Sequence, residues 1–186
     1  VYAGGSGETR SRLKRVADRG RFGRTGPGDG IGHDQEGVIG IAAEGADRVT
    51  ADMMGTLGTI INSLALSSAL TRAGVKAKVF SAITMPSIAD SYTARAAKAA
   101  LDDGYVVVLG GGIANPFFTT DTAAALRAIE LDCDVVLKGT NVDGVYSEDP
   151  KKNPNAQRYD QISHDEVIAR NLRVMDTAAF ALARDN

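Results

Sequence analysis

The run Asn115-Pro116-Phe117-Phe118-Thr119-Thr120-Asp121 follows directly on Gly110-Gly111-Gly112 and leads straight into an Ala/Leu-rich helical pattern. Residues of these types in this order suit an anionic, hydroxyl-rich ligand. The glycines let the backbone turn sharply and approach a ligand with no Cβ in the way. Thr119, Thr120 and Asp121 stand where a helix begins, with Thr122 to Glu130 as its body, so their oxygens can cap that helix or meet a ligand. Free N–H groups and the positive end of the helix dipole favour phosphate at such a place. The preceding Tyr105-Val106-Val107-Val108-Leu109 is a β-branched run suited to a buried parallel strand. Strand, glycine turn and helix start together form the usual address of a nucleotide in an open α/β sheet. The same turn also serves as plain structural punctuation, and the Phe117-Phe118 pair suits core packing as well as base stacking.

A second group of chemistry-bearing residues follows Asp134-Val135-Val136-Leu137, which reads as a strand: Lys138-Gly139-Thr140-Asn141-Val142-Asp143-Gly144-Val145-Tyr146-Ser147-Glu148-Asp149-Pro150. Both groups, with Val174-Met175-Asp176-Thr177-Ala178-Ala179-Phe180 behind them, resemble the bacterial uridylate (UMP) kinase branch of the amino acid kinase family. The likeness runs from about Ala46 to Asn186, in order and at family spacing. NPFFTTD, and VDGVY followed by DP, are specific to that branch. The resemblance implies an α/β fold with a mostly parallel central sheet sandwiched by helices, in three αβα layers. It also implies ATP and UMP as substrates, Mg²⁺ accompanying ATP, and transfer of the γ-phosphoryl group to give UDP for pyrimidine nucleotide supply. A nucleotide-regulated homohexamer in the cytoplasm belongs to the same expectation.

Carried over residue by residue, Ile113, Ala114, Asn115, Pro116, Phe117, Phe118, Thr119 and Thr120 form the UMP-binding segment, with Thr119 and Thr120 as its main polar contacts. The family usually has Thr and Gly where this chain has Ile113 and Ala114, which removes a hydroxyl and some backbone freedom and implies altered UMP binding. Asp52 matches the carboxylate that accepts hydrogen bonds from the ribose hydroxyls, a task suited to two oxygens facing a vicinal diol; read without the resemblance, it is an ordinary helix cap. Asp121 and Asp176 match the acidic positions that order the catalytic centre. Phosphoryl transfer is largely positioning plus charge stabilisation, so acids that hold lysines and metal waters are wanted there rather than nucleophiles. Either one also reads as an N-cap. Thr140, Tyr146 and Asp149 fall on the ATP side, Tyr146 covering a base with its ring and Asp149 taking ribose hydroxyls. Lys138 is near enough in sequence to reach phosphate, and equally resembles a surface lysine at a strand end.

The elements that must position these residues alternate along residues 37–186. Thr50 to Arg72 is a long helical pattern with Met54, Leu57, Ile61, Leu64 and Leu70 at roughly helical steps and Gly74 as its stop. Lys78 to Ala82 reads as a strand, and Asp90 to Asp102 as an Ala-rich helix capped by Asp90 or Ser91. With the strands at Tyr105 and Asp134 and the helix after Asp121, β and α alternate as a mostly parallel sheet requires. Gly144 to Ile162 is a long loop or hairpin, and Ser163 to Asn171 and Asp176 to Arg184 read as capped helices.

Composition fits one globular domain: 186 residues, 44% of them hydrophobic, leave enough apolar content for a sizeable core and too little length for a second full domain. A net charge of −2 and a pI of 5.7 argue against a nucleic-acid surface. No stretch approaches the ~18 to 20 apolar residues needed to cross a bilayer, and the start lacks the apolar core of a signal peptide. Cys133, the single cysteine, cannot form an internal disulfide and reads as a small buried apolar residue in a reducing compartment. His33 and His164 have no partners at metal-ligand or triad spacing, and no protein-bound metal is expected.

Residues 1–36 form an atypical Gly/Arg-rich segment without helical or strand period, ahead of the amino acid kinase domain of residues 37–186. Ser6-Gly7-Glu8 matches the family, but Gly4 stands where a phosphate-binding lysine belongs, the Gly-Gly-Gly-Asn turn after the second strand is missing, and Glu36 replaces an arginine. The chain also ends short of the family's final strand and helix. These departures imply a partial or damaged copy of such a kinase. Two alternatives remain beside UMP phosphorylation: another amino acid kinase acting on the carboxylate of an amino acid such as acetylglutamate or aspartate, and a non-catalytic nucleotide-binding or subunit-pairing fragment.

Overall fold

The computed structural model describes Gly45 and residues 47–139, 143–172 and 174–186. The readings made on residues 1–36, Gly4, Glu36 and His33, and the ATP-side Thr140, lie outside the described residues. The chain divides into two compact units between Phe118 and Thr119.

The first unit is built on a parallel sheet. Helix α1 (Arg48–Arg72) leads to β1 (Ala77–Ser81), a short β2 (Asp90–Ser91), α2 (Ala94–Asp102) and β3 (Val106–Gly110). The strand order is β2-β1-β3, with β1 in register against β3 from Ala77↔Val106 to Ser81↔Gly110. Period-two alternation divides the side chains between two faces. On one face Val106 and Val108 meet Leu70 of α1 and Val75, with Ala77 and Val79 packed against them. Val107 and Phe80, both 1% exposed, point to the other face, where α2 turns Ala97 and Ala100 inward. Helix, parallel sheet and helix therefore stack as the expected layers.

Helix α1 starts at Asp47, whose carboxylate accepts from the Thr50 N–H, and ends at Gly74, which takes the left-handed φ of +79° that lets its N–H reach back to the Thr71 carbonyl. Its buried residues are Ile60, Ser63 and Leu70, whereas Leu57, Ile61 and Leu64 lie exposed, so the helix divides its large apolar residues between the sheet and the outward face. By length and composition this helix could span a membrane, contrary to the sequence-based expectation. Counting contiguous apolar residues overlooks it because Gly, Ser and Thr are interleaved throughout; here one face packs against β1 and β3.

Two further expectations are corrected. Asp90 and Ser91 do not cap a helix, because they pair in parallel with Phe80 and Ser81 and Asp90 forms a 2.9 Å ion pair with Lys78. The cap of α2 is Thr93, whose hydroxyl accepts from the Ala96 N–H. The run Asp134 to Leu137 is not a strand: its backbone finds no ladder among the described residues, and Val135 and Leu137 are exposed. β-propensity without a neighbouring strand leaves the backbone groups nothing to pair with.

The second unit holds α3 (Thr120–Glu130), a hairpin of β4 (Val145–Tyr146) and β5 (Arg158–Tyr159), α4 (His164–Ala169) and α5 (Thr177–Asp185). α5 packs against both α3 and α4, with Ala123, Ala128, Val167, Ala179 and Phe180 buried in the unit. The predicted hairpin forms as an antiparallel pair, Val145↔Tyr159 and Tyr146↔Arg158.

At the carboxyl end of β3 the packing against α1 leaves no room for a side chain. A Cβ on Gly110 would lie 2.7 Å from Ser63 Oγ and 3.3 Å from the Ile60 Cα. Gly110→Ala is expected to lower stability by about 1–3 kcal/mol, read as a reduced urea midpoint with an unchanged m-value.

Candidate functional site

In the first unit the glycine turn and the Asn-Pro-Phe-Phe segment are anchored to α1. Gly111, at φ +80°, donates its N–H to Thr59 Oγ1 at 2.9 Å, and a Cβ there would crowd the Ala82 N at 3.2 Å. The chain then closes a tight turn from the Ala114 N–H to the Gly111 carbonyl, 2.9 Å. Ala114 and Phe117 both take left-handed φ values, +61° and +71°. A non-glycine residue there is strained and persists because its surroundings hold it. Ala114 thus occupies a conformation that a glycine would adopt freely.

Asp52 holds Phe117. Its Oδ2 accepts the Phe117 N–H at 2.7 Å, and both its oxygens lie 2.8 Å from Arg48 Nε. The Phe117 N–H, and then the Arg48 guanidinium, keep this carboxyl below the ordinary carboxylate value. Asp52 is therefore not the helix cap, a task that Asp47 performs. Phe117 and Phe118 are 62% and 52% exposed, so they are not core residues. Pro116, Asn115 and Ile113 complete the same exposed or half-buried segment, with Asn115 Nδ2 donating to the Ile113 carbonyl at 3.3 Å.

In the second unit Thr119, Thr120, Asp121 and Asp176 come together around the start of α3. Thr119 is its N-cap, the hydroxyl accepting from the Asp121 and Thr122 N–H groups, and Thr120 is its first residue. The Thr119 hydroxyl also donates to Asp176 Oδ2, and the Thr122 hydroxyl donates to the same carboxylate at 2.8 Å. Asp176 caps α5 as well, accepting the Ala179 N–H at 2.8 Å. Burial alone would push the Asp176 carboxyl up, but the bonds from Thr119, the Ala179 amide and Thr122 outweigh it and hold the group below its ordinary value. Asp121, in the first turn of α3, is no cap. Its Oδ2 lies 2.6 Å from Lys138 Nζ, which also donates to the Val174 carbonyl at 2.8 Å. Asp121, Lys138 and Asp176 line one cleft of about 530 Å³ whose apolar wall includes Val167, Leu172 and Phe180.

A second cleft of about 380 Å³ is lined by Tyr146 and Asp149, together with Lys152 and Arg170. The Tyr146 hydroxyl donates to Asp143 Oδ1 at 2.7 Å, which pushes the phenol up, and Asp143 in turn meets Arg158 at 3.3 Å. Asp149 Oδ1 accepts the Lys151 N–H at 3.0 Å and so shapes its own turn. Asn171, Leu172 and Val174 line both clefts. Among the described residues no group of three or more His, Cys, Asp or Glu side chains is gathered for a metal. Burial, and then Asp134 and Asp132, push the Cys133 thiol up, away from the thiolate form a nucleophile needs.

The sequence reading missed Thr122 and Arg48. Thr122 stands three residues after Thr119, the spacing that puts two hydroxyls on one helix face, and Arg48 stands four before Asp52. Both signals were available. The Thr59–Gly111 bond, between residues far apart in sequence, had none.

A family model described as the amino acid kinase family matches residues 1–186. The chain is 58% identical over 148 residues to a uridylate kinase of Brucella anthropi, covering 80% of this chain and 62% of that relative. Among solved structures it is similar to a UMP kinase from Bacillus anthracis, with a TM-score of 0.75 at 44% identity over 78% of this chain and 61% of that one. It is likewise similar to a UMP kinase from Ureaplasma parvum, with a TM-score of 0.74 at 42% identity over 81% of this chain and 64% of that one. The chain thus spans 62% of the length of the curated relative it matches.

Because its folded pKa is depressed, Asp176 contributes stability that is present above the ordinary carboxylate value of 3.8 and lost as pH falls through the folded value. Asp176→Asn keeps a capping oxygen but cannot accept from both threonines. It is expected to cost about 1–2 kcal/mol at pH 7, with a deficit that shrinks below about pH 4, as read by denaturant unfolding across pH.

Proposed function

The chain belongs to the amino acid kinase family, and from that membership we propose that it transfers the γ-phosphoryl group of ATP to UMP, giving UDP and ADP. A UMP phosphate oxygen forms the new bond to the γ-phosphorus as the bond to the ADP leaving oxygen breaks. The observation that carries this reading is the Lys138 ammonium, held between Asp121 and the Val174 carbonyl on the wall of a cleft. A cation fixed by a carboxylate and a backbone oxygen can offset charge on a phosphoryl group without reorganising during the step.

The remaining residues have roles that fit. Asp52 takes the ribose hydroxyls of UMP, and Ile113 to Phe118, with Thr119 and Thr120, form the acceptor segment. The exposure of Phe117 and Phe118 leaves their rings available to a base. Asp176 keeps Thr119 and Thr122 in place and takes no proton itself. Tyr146 and Asp149 accept the adenosine part of ATP, a role supported by their common cleft. Mg²⁺ accompanies ATP, with Asp121 and Asp176 as the carboxylates that would hold its waters; when bound it neutralises phosphate charge. The protein works in the cytoplasm as a homo-oligomer, a hexamer by resemblance. The exposed Leu57, Ile61 and Leu64 on α1 support self-association.

The test is a coupled assay of ADP release from Mg-ATP with UMP, CMP or acetylglutamate offered separately. UMP-dependent turnover is expected, reduced by roughly 10²-fold in kcat by Lys138→Gln, with the KM for ATP changed by about threefold or less. Turnover with acetylglutamate and not UMP would replace this reading with a carboxylate kinase. UMP binding without turnover would leave a non-catalytic nucleotide-binding protein.

A further inference from the structure

Arg48 has no assigned role in the proposed reaction, yet three contacts converge on it. It opens α1, one helical turn ahead of Asp52, so the two side chains lie one above the other. Its Nε donates to both Asp52 oxygens at 2.8 Å, and its guanidinium carbon sits 5.6 Å from the centroid of the Phe117 ring. Asp52 Oδ2 also accepts the Phe117 N–H, at a residue whose φ of +71° is unfavourable for a side-chain-bearing residue. The Phe117 ring is 62% exposed, so burial does not hold it. The carboxylate grips the Phe117 backbone, the guanidinium covers its ring, and the guanidinium also fixes the carboxylate. Asp52 Oδ2 thereby carries two bonds and Oδ1 one, and a carboxylate oxygen has capacity for more.

We infer that Arg48 is a positioning residue that sets the preference for ribonucleotide over 2′-deoxyribonucleotide acceptors, by holding Asp52 so that Oδ2 latches Phe117 while Oδ1 meets the vicinal hydroxyls. This rests on UMP as the acceptor. A site built to bond a hydroxyl discriminates against the analogue lacking it, provided the acceptor oxygen is held in place. Lysine cannot substitute fully, because a point charge on a flexible stem lacks the planar fork that serves carboxylate and ring together.

The test uses the whole chain as wild type, Arg48→Gln and Arg48→Lys, with UMP and dUMP binding measured by calorimetry. Labelling with ¹⁵N-phenylalanine marks five amides, and Phe117→Leu identifies the one of interest. Arg48→Gln is expected to weaken UMP binding roughly threefold to fivefold, as fits an exposed ion pair, while dUMP binding changes by about twofold or less. The Phe117 amide resonance moves in the same variant, and Arg48→Lys falls between it and wild type. UMP binding with an unchanged UMP/dUMP ratio in Arg48→Gln, or an unmoved Phe117 resonance, overturns the inference and leaves the kinase reading standing. A wild-type chain that binds neither nucleotide overturns the acceptor assignment and this inference with it.

Discussion

The approach of the carboxyl end of β3 to helix α1 is the constraint on which the first unit of this protein depends. Parallel pairing brings Ser81 and Gly110 level, and the chain leaving β3 must pass between α1 and the backbone after β1. With Ile60 Cα and Ser63 Oγ on one side and the Ala82 amide on the other, Gly110 and Gly111 are the residues that fit. Thr59 then meets the Gly111 N–H directly, so the turn is referenced to the helix and not merely adjacent to it. Asp52 and Thr59 are seven positions apart on α1, about two helical turns, and so share the side that serves the segment. Asp52 can therefore reach Phe117 because Thr59 has already fixed where the segment begins.

The second unit solves a comparable problem with one carboxylate. Asp176 caps α5 and accepts from two hydroxyls of the α3 start, so the ends of two helices share an anchor. Each helix start carries N–H groups without intrahelical partners, and a carboxylate at both positive ends is favoured by the dipoles as well as by the bonds. A mobile carboxylate would be a poor anchor; one with its charge held below the ordinary titration range remains an acceptor throughout neutral conditions. Asp121 is then left to pair with Lys138.

Much of this was readable from residue types. The glycine turn, the helix after Thr119, the hairpin after Gly144 and the caps at Ser163 and Asp176 follow from local chemistry that tertiary packing does not override. Local chemistry misled where a partner decided the outcome. Asp90 resembled a cap until β1 and Lys78 engaged it, and Val135 to Leu137 has strand-forming residues without a neighbouring strand among the described residues. The orientation of α1 was only partly legible: Leu70 is buried as its periodicity suggests, but Leu57, Ile61 and Leu64 face outward, and Ile60 and Ser63 are buried in their place. Asp52 and Asp121 each had two readings from sequence. The fold separates them, because Asp47 and Thr119 supply the caps.

That separation bears on what the acids of each unit can do. Asp52, Asp121 and Asp176 are each committed to partners within the protein: a backbone amide and an arginine, a lysine, and two hydroxyls with an amide. Carboxylates engaged in this way hold other groups in place, whereas a mechanism that needed a general base or a carboxylate nucleophile would have to release them first. Phosphoryl transfer demands neither, because the attacking oxygen of a nucleoside monophosphate is already anionic and the barrier lies in alignment and charge. Within the second unit Asp121 fixes the lysine that the proposed transfer would use, and within the first Asp52 holds the turn at Phe117 against its own conformational preference.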